Sequence, residues 1–412
     1  MKVWVKFLIG TVLGMIIGFL LPENESVYAA LAWFEKLAIG IGRYTVIPVL
    51  VFSLTVAVYE LRMDDQFWPV ILKNVLFIIA ASAFVIFTGI VATMFFWSPE
   101  SRIPIVTVEQ VEVLNLNIGD NLLDIFPPNM LSVISTGGIY LFPACIFAFF
   151  LGMGLNYDRN YSKPVISLVD SLSRIFYHVA SFFSEILGFI LIVLAAFWAV
   201  RFKDILQAKG YKDLVILLGV FSIALCFVIM PLFLYLLKPK TNPWRVLYGF
   251  LGPAIAAFLS GDINFTIPIL QRHSKENFGI RRRSSAISLS LFATFCRCGS
   301  AMVAAAAFIV IIKSYSYLTI STLNLFTIGL YAFLLSFVLA RHPGDGAFIA
   351  LAALCLTYDG GDYRAGYLIL KPMAFYLIAI GAFIDIMLNA FGAYIIARTN
   401  GFIEEKNLVH FI

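Results

Sequence analysis

The sequence predicts an all-α polytopic membrane protein, and three observations carry that prediction. Of its 412 residues, 61% are hydrophobic and 13% charged, and the mean hydropathy is +0.94. Soluble domains run at about 45–50% apolar and about 25% charged. Apolar runs of about 20 residues, the length that crosses a bilayer as a helix, recur along the whole chain. Finally, Lys and Arg alternate between successive loops as the positive-inside rule requires.

On that ruler the spans fall at 4–22, 31–59, 73–98, 129–156, 164–200, 213–237, 284–312 and 366–398. Several exceed the minimum length, which implies tilt or interruption. The run that follows Lys2 and Lys6 imitates a signal peptide, but it reaches spanning length without a small-residue cleavage site, so a retained first span is expected. Two further segments, 246–272 and 323–358, are apolar but broken by Gly, Pro and acidic residues, and each reads as a re-entrant hairpin.

Charge then orients the chain. Lys2 and Lys6 precede the first span, and the next loop holds Glu23 and Glu25 without a Lys or Arg. Arg62 and Lys73 flank the following turn. Loop 99–124 carries one Arg against five acidic residues, and Arg159 and Lys163 follow the fourth span. Arg272, Lys275 and Arg281-Arg282-Arg283 precede the seventh, the triplet acting as a topology determinant. Both termini are therefore expected in the cytoplasm. Arg201, Lys203, Lys209 and Lys212 break the pattern on the outer side.

The net charge of +5 does not point to nucleic acid, because the basic residues lie between apolar runs and form no continuous face. Five irregularly spaced cysteines, Cys145, Cys226, Cys296, Cys298 and Cys355, make no disulfide framework. The Cys296-x-Cys298 pair reads as packing residues rather than metal ligands. No metal and no cofactor is expected. With no soluble module and no nucleophile–base pair, an enzyme is excluded.

An ionisable group inside a span is a functional-site candidate by default. Four places qualify: Ser260-Gly261-Asp262-Ile263-Asn264-Phe265-Thr266-Ile267-Pro268; Cys296-Arg297-Cys298-Gly299-Ser300; Arg341-His342-Pro343-Gly344-Asp345-Gly346; and the last span, where Gly381, Asp385, Asn389 and Gly392 share one helical face. Gly and Pro beside polar residues free backbone groups that are tolerated at membrane depth only around a protein-lined cavity. Paired interruptions mark a transporter's midplane site, and the order of broken segment then span, twice over, suggests an internal repeat. Against this stands a purely structural role, with Arg297 in a buried ion pair with Asp262, Asp345 or Asp385. Asp170 and Glu185 are weaker candidates that read as interfacial or packing groups.

At these residues the chain resembles the dicarboxylate/amino-acid:cation symporter family, the glutamate-transporter group. The run Arg43-Tyr44-Thr45-Val46-Ile47-Pro48-Val49-Leu50-Val51-Phe52 resembles the family's second span. Asp124-Ile125-Phe126-Pro127-Pro128-Asn129 with Phe147-Ala148-Phe149-Phe150-Leu151-Gly152 resembles the approach to the fourth. Residues 258–268 stand where the family has a serine-rich tip ending T-L-P, here Thr266-Ile267-Pro268. His342-Pro343-Gly344-Asp345-Gly346 is similar to V-P-G-A-G, and Ala397-Arg398-Thr399-Asn400-Gly401 to the end of the last span.

The resemblance implies eight transmembrane helices plus two re-entrant hairpins with inverted repeats. It also implies a homotrimer, and a mobile transport part that carries substrate as an elevator past a fixed scaffold. Residues 1–245 would hold spans one to six, with scaffold and trimerisation surfaces from spans two, four and five, and spans three and six joining the transport part. Residues 246–401 would be the transport core, and 402–412 a cytoplasmic tail. A bacterial inner membrane is the expected location.

The departures lie at the motifs. The family's N-M-D-G-T becomes Cys296-Arg297-Cys298-Gly299-Ser300, losing the Asn and Asp that hold sodium. The sodium aspartate of the last span becomes Asn389, and the asparagine that binds the α-carboxylate becomes Asp385. Ile378 and Gly381 stand at the positions of the acid that holds the amino group and of the arginine that reads a side-chain carboxylate. The resulting expectation is an elevator-type secondary transporter of a small polar or anionic solute, amino acid or dicarboxylate, independent of sodium and possibly proton-coupled. Its expected substrate residues are Asp262, Asn264, Arg297, Ser300, Asp345, Asp385 and Asn389, with Asp262, Asp345 and Asp385 as proton carriers. The alternatives are a sodium-coupled symporter with rebuilt sites and a non-transporting receptor or scaffold.

Overall fold

The computed structural model describes residues 2–22, 24–97, 123–127, 129–135, 139–207, 211–237, 242–315, 320–358, 363–404, 406, 411 and 412. Nearly all of loop 99–124 lies outside the described residues. Among those described, the chain is helical, with one isolated bridge between Ile280 and Ile403. Seven of its helical stretches are long and apolar enough to cross a membrane.

The first is α1 (Val3–Leu20), which lies along the 49-residue α6 (Arg159–Gln207). Gly10, Gly14 and Gly18 recur every four residues on the contact face. A Cβ added at Gly14 would stand 2.2 Å from the Ile192 carbonyl oxygen, and one at Gly18 2.3 Å from that of Ala196. Small residues at this spacing let two backbones touch where lipid gives no hydrophobic drive to association. This face was not read from the sequence.

The expected span 31–59 is two helices, α2 (Glu25–Arg43) and α3 (Val46–Met63). Pro48 explains the break at Tyr44-Thr45: it has no N–H for the Tyr44 carbonyl and its ring crowds that group. The third span, α4 (Phe67–Phe96), starts six residues before the expected Lys73, because Pro69 is tolerated in a first turn. The expected span 129–156 is corrected. A 3₁₀ turn, Met130–Ser135, comes first, and α5 runs only from Phe142 to Gly154. At 1.5 Å per residue its 13 residues reach about 20 Å, short of a bilayer core of about 30 Å.

After α6 come α7 (Lys212–Ala224) and α8 (Met230–Leu237), joined by a π-helical turn, Leu225–Ile229. Pro231 cannot donate to the Phe227 carbonyl, and the widened turn absorbs that loss. A short α9 (Pro243–Gly249) leads into the first broken segment. There α10 (Leu251–Ser260) and α11 (Ile263–Phe278) pack together about a turn at Gly261-Asp262. The expected span 284–312 is interrupted: α12 (Arg282–Phe295) stops at Cys296, whose φ −108° and ψ 64° are not helical, and α13 (Cys298–Tyr315) resumes. The second broken segment repeats the order. It holds α14 (Thr322–Leu335), a 3₁₀ turn (Leu339–Arg341) and α15 (Gly346–Thr357); then come α16 (Gly366–Ile369) and the last span, α17 (Ala374–Thr399).

The centre of the molecule is α13, buried from Cys298 to Ile312 and packed on α4, α15 and α17. Around it α1, α2, α3 and α5 gather on α6 or on one another. Charges tie this outer group to the inner one. Arg272 of α11 donates to Glu185 (2.7 Å) and to the Ser181 carbonyl (2.9 Å) of α6, and Lys6 also pairs with Glu185. Arg282 pairs with Glu60 (3.1 Å) and Asp170, Arg283 with Asp64, and Arg281 with Glu404 (3.4 Å). Asp170 and Glu185 thus serve in helix packing. On the side where the charge rule failed, Arg201 pairs with Glu35 (3.4 Å) and lies 3.8 Å from the Phe197 ring centre. Lys203 Nζ lies 3.4 Å from the Leu21 carbonyl, beyond the C-terminus of α1 where a cation is favoured.

Replacing Gly14 with Leu is expected to force α1 off α6. The loss is about 1–3 kcal/mol, the usual range for overpacking, read as an earlier melt of the detergent-solubilised protein. Val12→Leu, on the exposed face of α1, should leave the melt unchanged.

Candidate functional site

Two turns and one helix break define the site. In the first turn Gly261 adopts φ +63°, a left-handed conformation that ends α10 at no steric penalty. Asp262 then caps α11, its carboxylate accepting from the Phe265 N–H at 3.0 Å. At the break, Gly299 lets α17 approach closely: a Cβ there would lie 2.6 Å from that of Ile384 and 2.9 Å from the Asp385 nitrogen. That approach brings Asp385 onto the free N–H groups at the start of α13.

Asp385 is fully buried and accepts from the Gly299 N–H (2.6 Å), the Ser300 N–H (3.3 Å) and the Ser300 hydroxyl (2.6 Å). Arg297, 1% exposed, donates through Nε to the same carboxylate at 3.3 Å. Its Nη2 reaches the His342 and Pro343 carbonyls of the second turn, at 3.2 and 3.4 Å. The Pro343 carbonyl also accepts from the Ile263 N–H at 3.2 Å, so both turns and the helix break meet there. Arg297 Nη1 is buried with no partner among the described residues.

A second constellation lies across the turns. Arg43, at the end of α2, donates to the buried Asp262 carboxylate through Nε at 2.7 Å and also through Nη2. Asp345, exposed beside the second turn, is close enough to feel both Asp262 and Arg43. A cavity of about 450 Å³ opens here, bounded by Asp262 and Asp345, by Ile378 of α17, and by Glu35, Arg43 and Trp198 of α2 and α6.

The expected residues therefore divide. Arg297, Ser300 and Asp385 form one buried cluster, and Asp262 and Asp345 edge the cavity. Asn264 is drawn away, its amide donating to the Ile139 carbonyl at 2.8 Å. Asn389, one turn beyond Asp385, is buried with its Oδ1 unpartnered among the described residues. Cys296 and Cys298 hold their sulfurs 3.9 Å apart in the core. At the two altered reader positions, Ile378 faces the cavity, while Gly381 lies against Ser300 and Ala347. The partner of Asp262 was missed, although an arginine between the apolar runs 31–42 and 46–58 carries the same signal that singled out Arg297.

Long apolar helices around a buried polar site mark an integral membrane protein. The sodium:dicarboxylate symporter family model matches residues 3–403, and the chain belongs to that family, which makes it a transporter and not an enzyme. Comparison with curated proteins returns no match.

The buried pair makes a specific demand on mutants. Arg297→Met or Asp385→Asn alone strands a charge, which in a buried pair destabilises by about 3–5 kcal/mol. Melting of the double variant should return most of that loss. Equal additive losses would show that the two groups are not coupled.

Proposed function

We propose that this chain is a secondary active transporter that moves a small polar solute by an elevator displacement, without sodium and linked to a proton. In this reading eight spans, the fourth completed by the 3₁₀ turn Met130–Ser135 ahead of the short α5, and two re-entrant hairpins, α10–α11 and α14–α15, make a trimeric carrier in a bacterial inner membrane with both termini cytoplasmic. Residues 246–401 form the moving core with spans three and six, spans two, four and five form the scaffold, and 402–412 form the tail.

The observation that supports it most is the state of Asp385. Three donor groups of Gly299 and Ser300 already surround its two oxygens, and the guanidinium of Arg297 adds a fourth. A hard cation needs several free oxygen ligands, and here the neighbouring side chains are two thiols and a positive charge. Of the three candidate proton carriers, Asp385 and Asp262 are held in ion pairs, which leaves Asp345 open to take and release a proton.

Uptake into proteoliposomes of a solute first selected by thermal shift, at two pH values and with and without sodium, tests this. The rate is expected to ignore a sodium gradient, to respond to a pH gradient, and to lose that response in Asp345→Asn. Uptake driven by sodium that survives replacement of Asp262, Asp345 and Asp385 together would overturn it.

A second reading, sodium coupling through rebuilt sites, draws on the unpartnered Asn389 Oδ1, a buried oxygen still able to accept a cation. Thermal stabilisation by sodium chloride but not by potassium chloride would favour that reading.

A further inference from the structure

We infer that the cavity between α2, α6 and the two turns binds a zwitterion with an apolar body, an amino-acid-like solute, and rejects dicarboxylates. Its ammonium sits on Asp345 and its carboxylate on Lys36. The inference rests on the transporter reading above and assigns the substrate class of the cavity beside its hairpin turns.

The cavity wall carries three acids, Glu35, Asp262 and Asp345, and three bases, Lys36, Arg43 and Arg201. Four of the six are consumed internally: Arg43 holds Asp262, and both terminal nitrogens of Arg201 face the carboxylate of Glu35, at 3.4 and 3.5 Å. The side chains of Asp345 and Lys36 belong to exposed residues and make no hydrogen bond or ion pair among the described residues. The two lie in one neighbourhood, since both line the same cavity.

Arg297 is no third reader of the cavity, because it lies behind the turns, paired with Asp385 and absent from the cavity wall. A dianion brought here would find one free ammonium and one opposing carboxylate. A zwitterion finds a partner for each of its charges.

The rest of the wall accounts for the apolar body. Trp198 packs against Phe258 and Phe375, with ring centres 5.1 and 5.9 Å apart, and Ile378 continues that surface. An aromatic wall also favours a neighbouring cation through its ring faces. The volume of about 450 Å³ suits a small solute. Because one carboxylate holds either the ammonium or a proton, binding and protonation at Asp345 exclude each other.

The test is equilibrium binding to the full-length protein in nanodiscs, with radiolabelled L-phenylalanine as the probe and L-aspartate, succinate, phenylethylamine and 3-phenylpropionate as competitors. Phenylalanine is expected to bind, and to weaken at least tenfold in Asp345→Asn and in Lys36→Gln, with partial recovery in Asp345→Glu. Its affinity should fall as the pH is lowered. The amine and the acid should each compete at least tenfold less well than phenylalanine itself.

Displacement by succinate or aspartate at lower concentration than phenylalanine overturns the inference. So does phenylethylamine binding that equals phenylalanine's and ignores Lys36→Gln, or no phenylalanine binding at all. The outcomes separate from those of the transporter reading. Intact binding with no flux in proteoliposomes sinks that reading alone, while sodium-independent flux of another solute without phenylalanine binding sinks this inference alone.

Discussion

A buried guanidinium beside a buried carboxylate is the constraint on which the centre of this molecule depends. Opposite charges 3.3 Å apart attract by about 4–5 kcal/mol at an effective dielectric near 20, and removing each ion from water costs several kcal/mol. The pair alone therefore does no better than break even. Local backbone decides the outcome: the break at Cys296-Arg297 frees the Gly299 and Ser300 N–H groups, and both point at Asp385. Gly299 lets α17 come within reach, and Arg297 Nη2 then reaches the carbonyls of the second turn. The helix break, the last span and the second turn are fixed by one electrostatic knot.

Around that knot the protein is held by charges crossing between helix groups. Arg43 joins α2 to the first turn, Arg272 joins α11 to α6, and Arg282 and Arg283 join α12 to the ends of α3 and α6. In the elevator reading these are contacts between scaffold and moving core, and each must exchange partners during a transport cycle. The pairs at Arg272, Arg282 and Arg283 keep at least one partner partly exposed, where water and salt weaken them. The Asp262 carboxylate is wholly buried, so the Arg43–Asp262 contact is the one whose release requires something to replace it.

Most of the fold was legible in the sequence because membrane residence imposes length and polarity on every span. What was misread has local causes. Pro48 splits the second span, the expected fourth span is α-helical for 13 of its described residues, and the glycine face of α1 carries no polarity signal that hydropathy could register. The site was legible as a set of misplaced polar residues but not as a geometry. Nothing in spacing says that Arg297 chooses Asp385 over Asp262, since the choice is made by helix packing around Gly299. Nor does it say that the Asp345 side chain is left without a partner among the described residues. Arg43 carried the same signal as Arg297 and was hidden because it lies beside a motif that resembles a family span.

The proposed independence of sodium turns on the Arg297–Asp385 pair, which leaves the Asp385 oxygens occupied by protein donors. Equilibrium binding of radioactive sodium to the purified protein, by scintillation proximity, addresses it most directly. No saturable binding to the wild type is expected, and none gained in Arg297→Lys. Saturable sodium binding to the wild type that disappears in Asp385→Asn would contradict it.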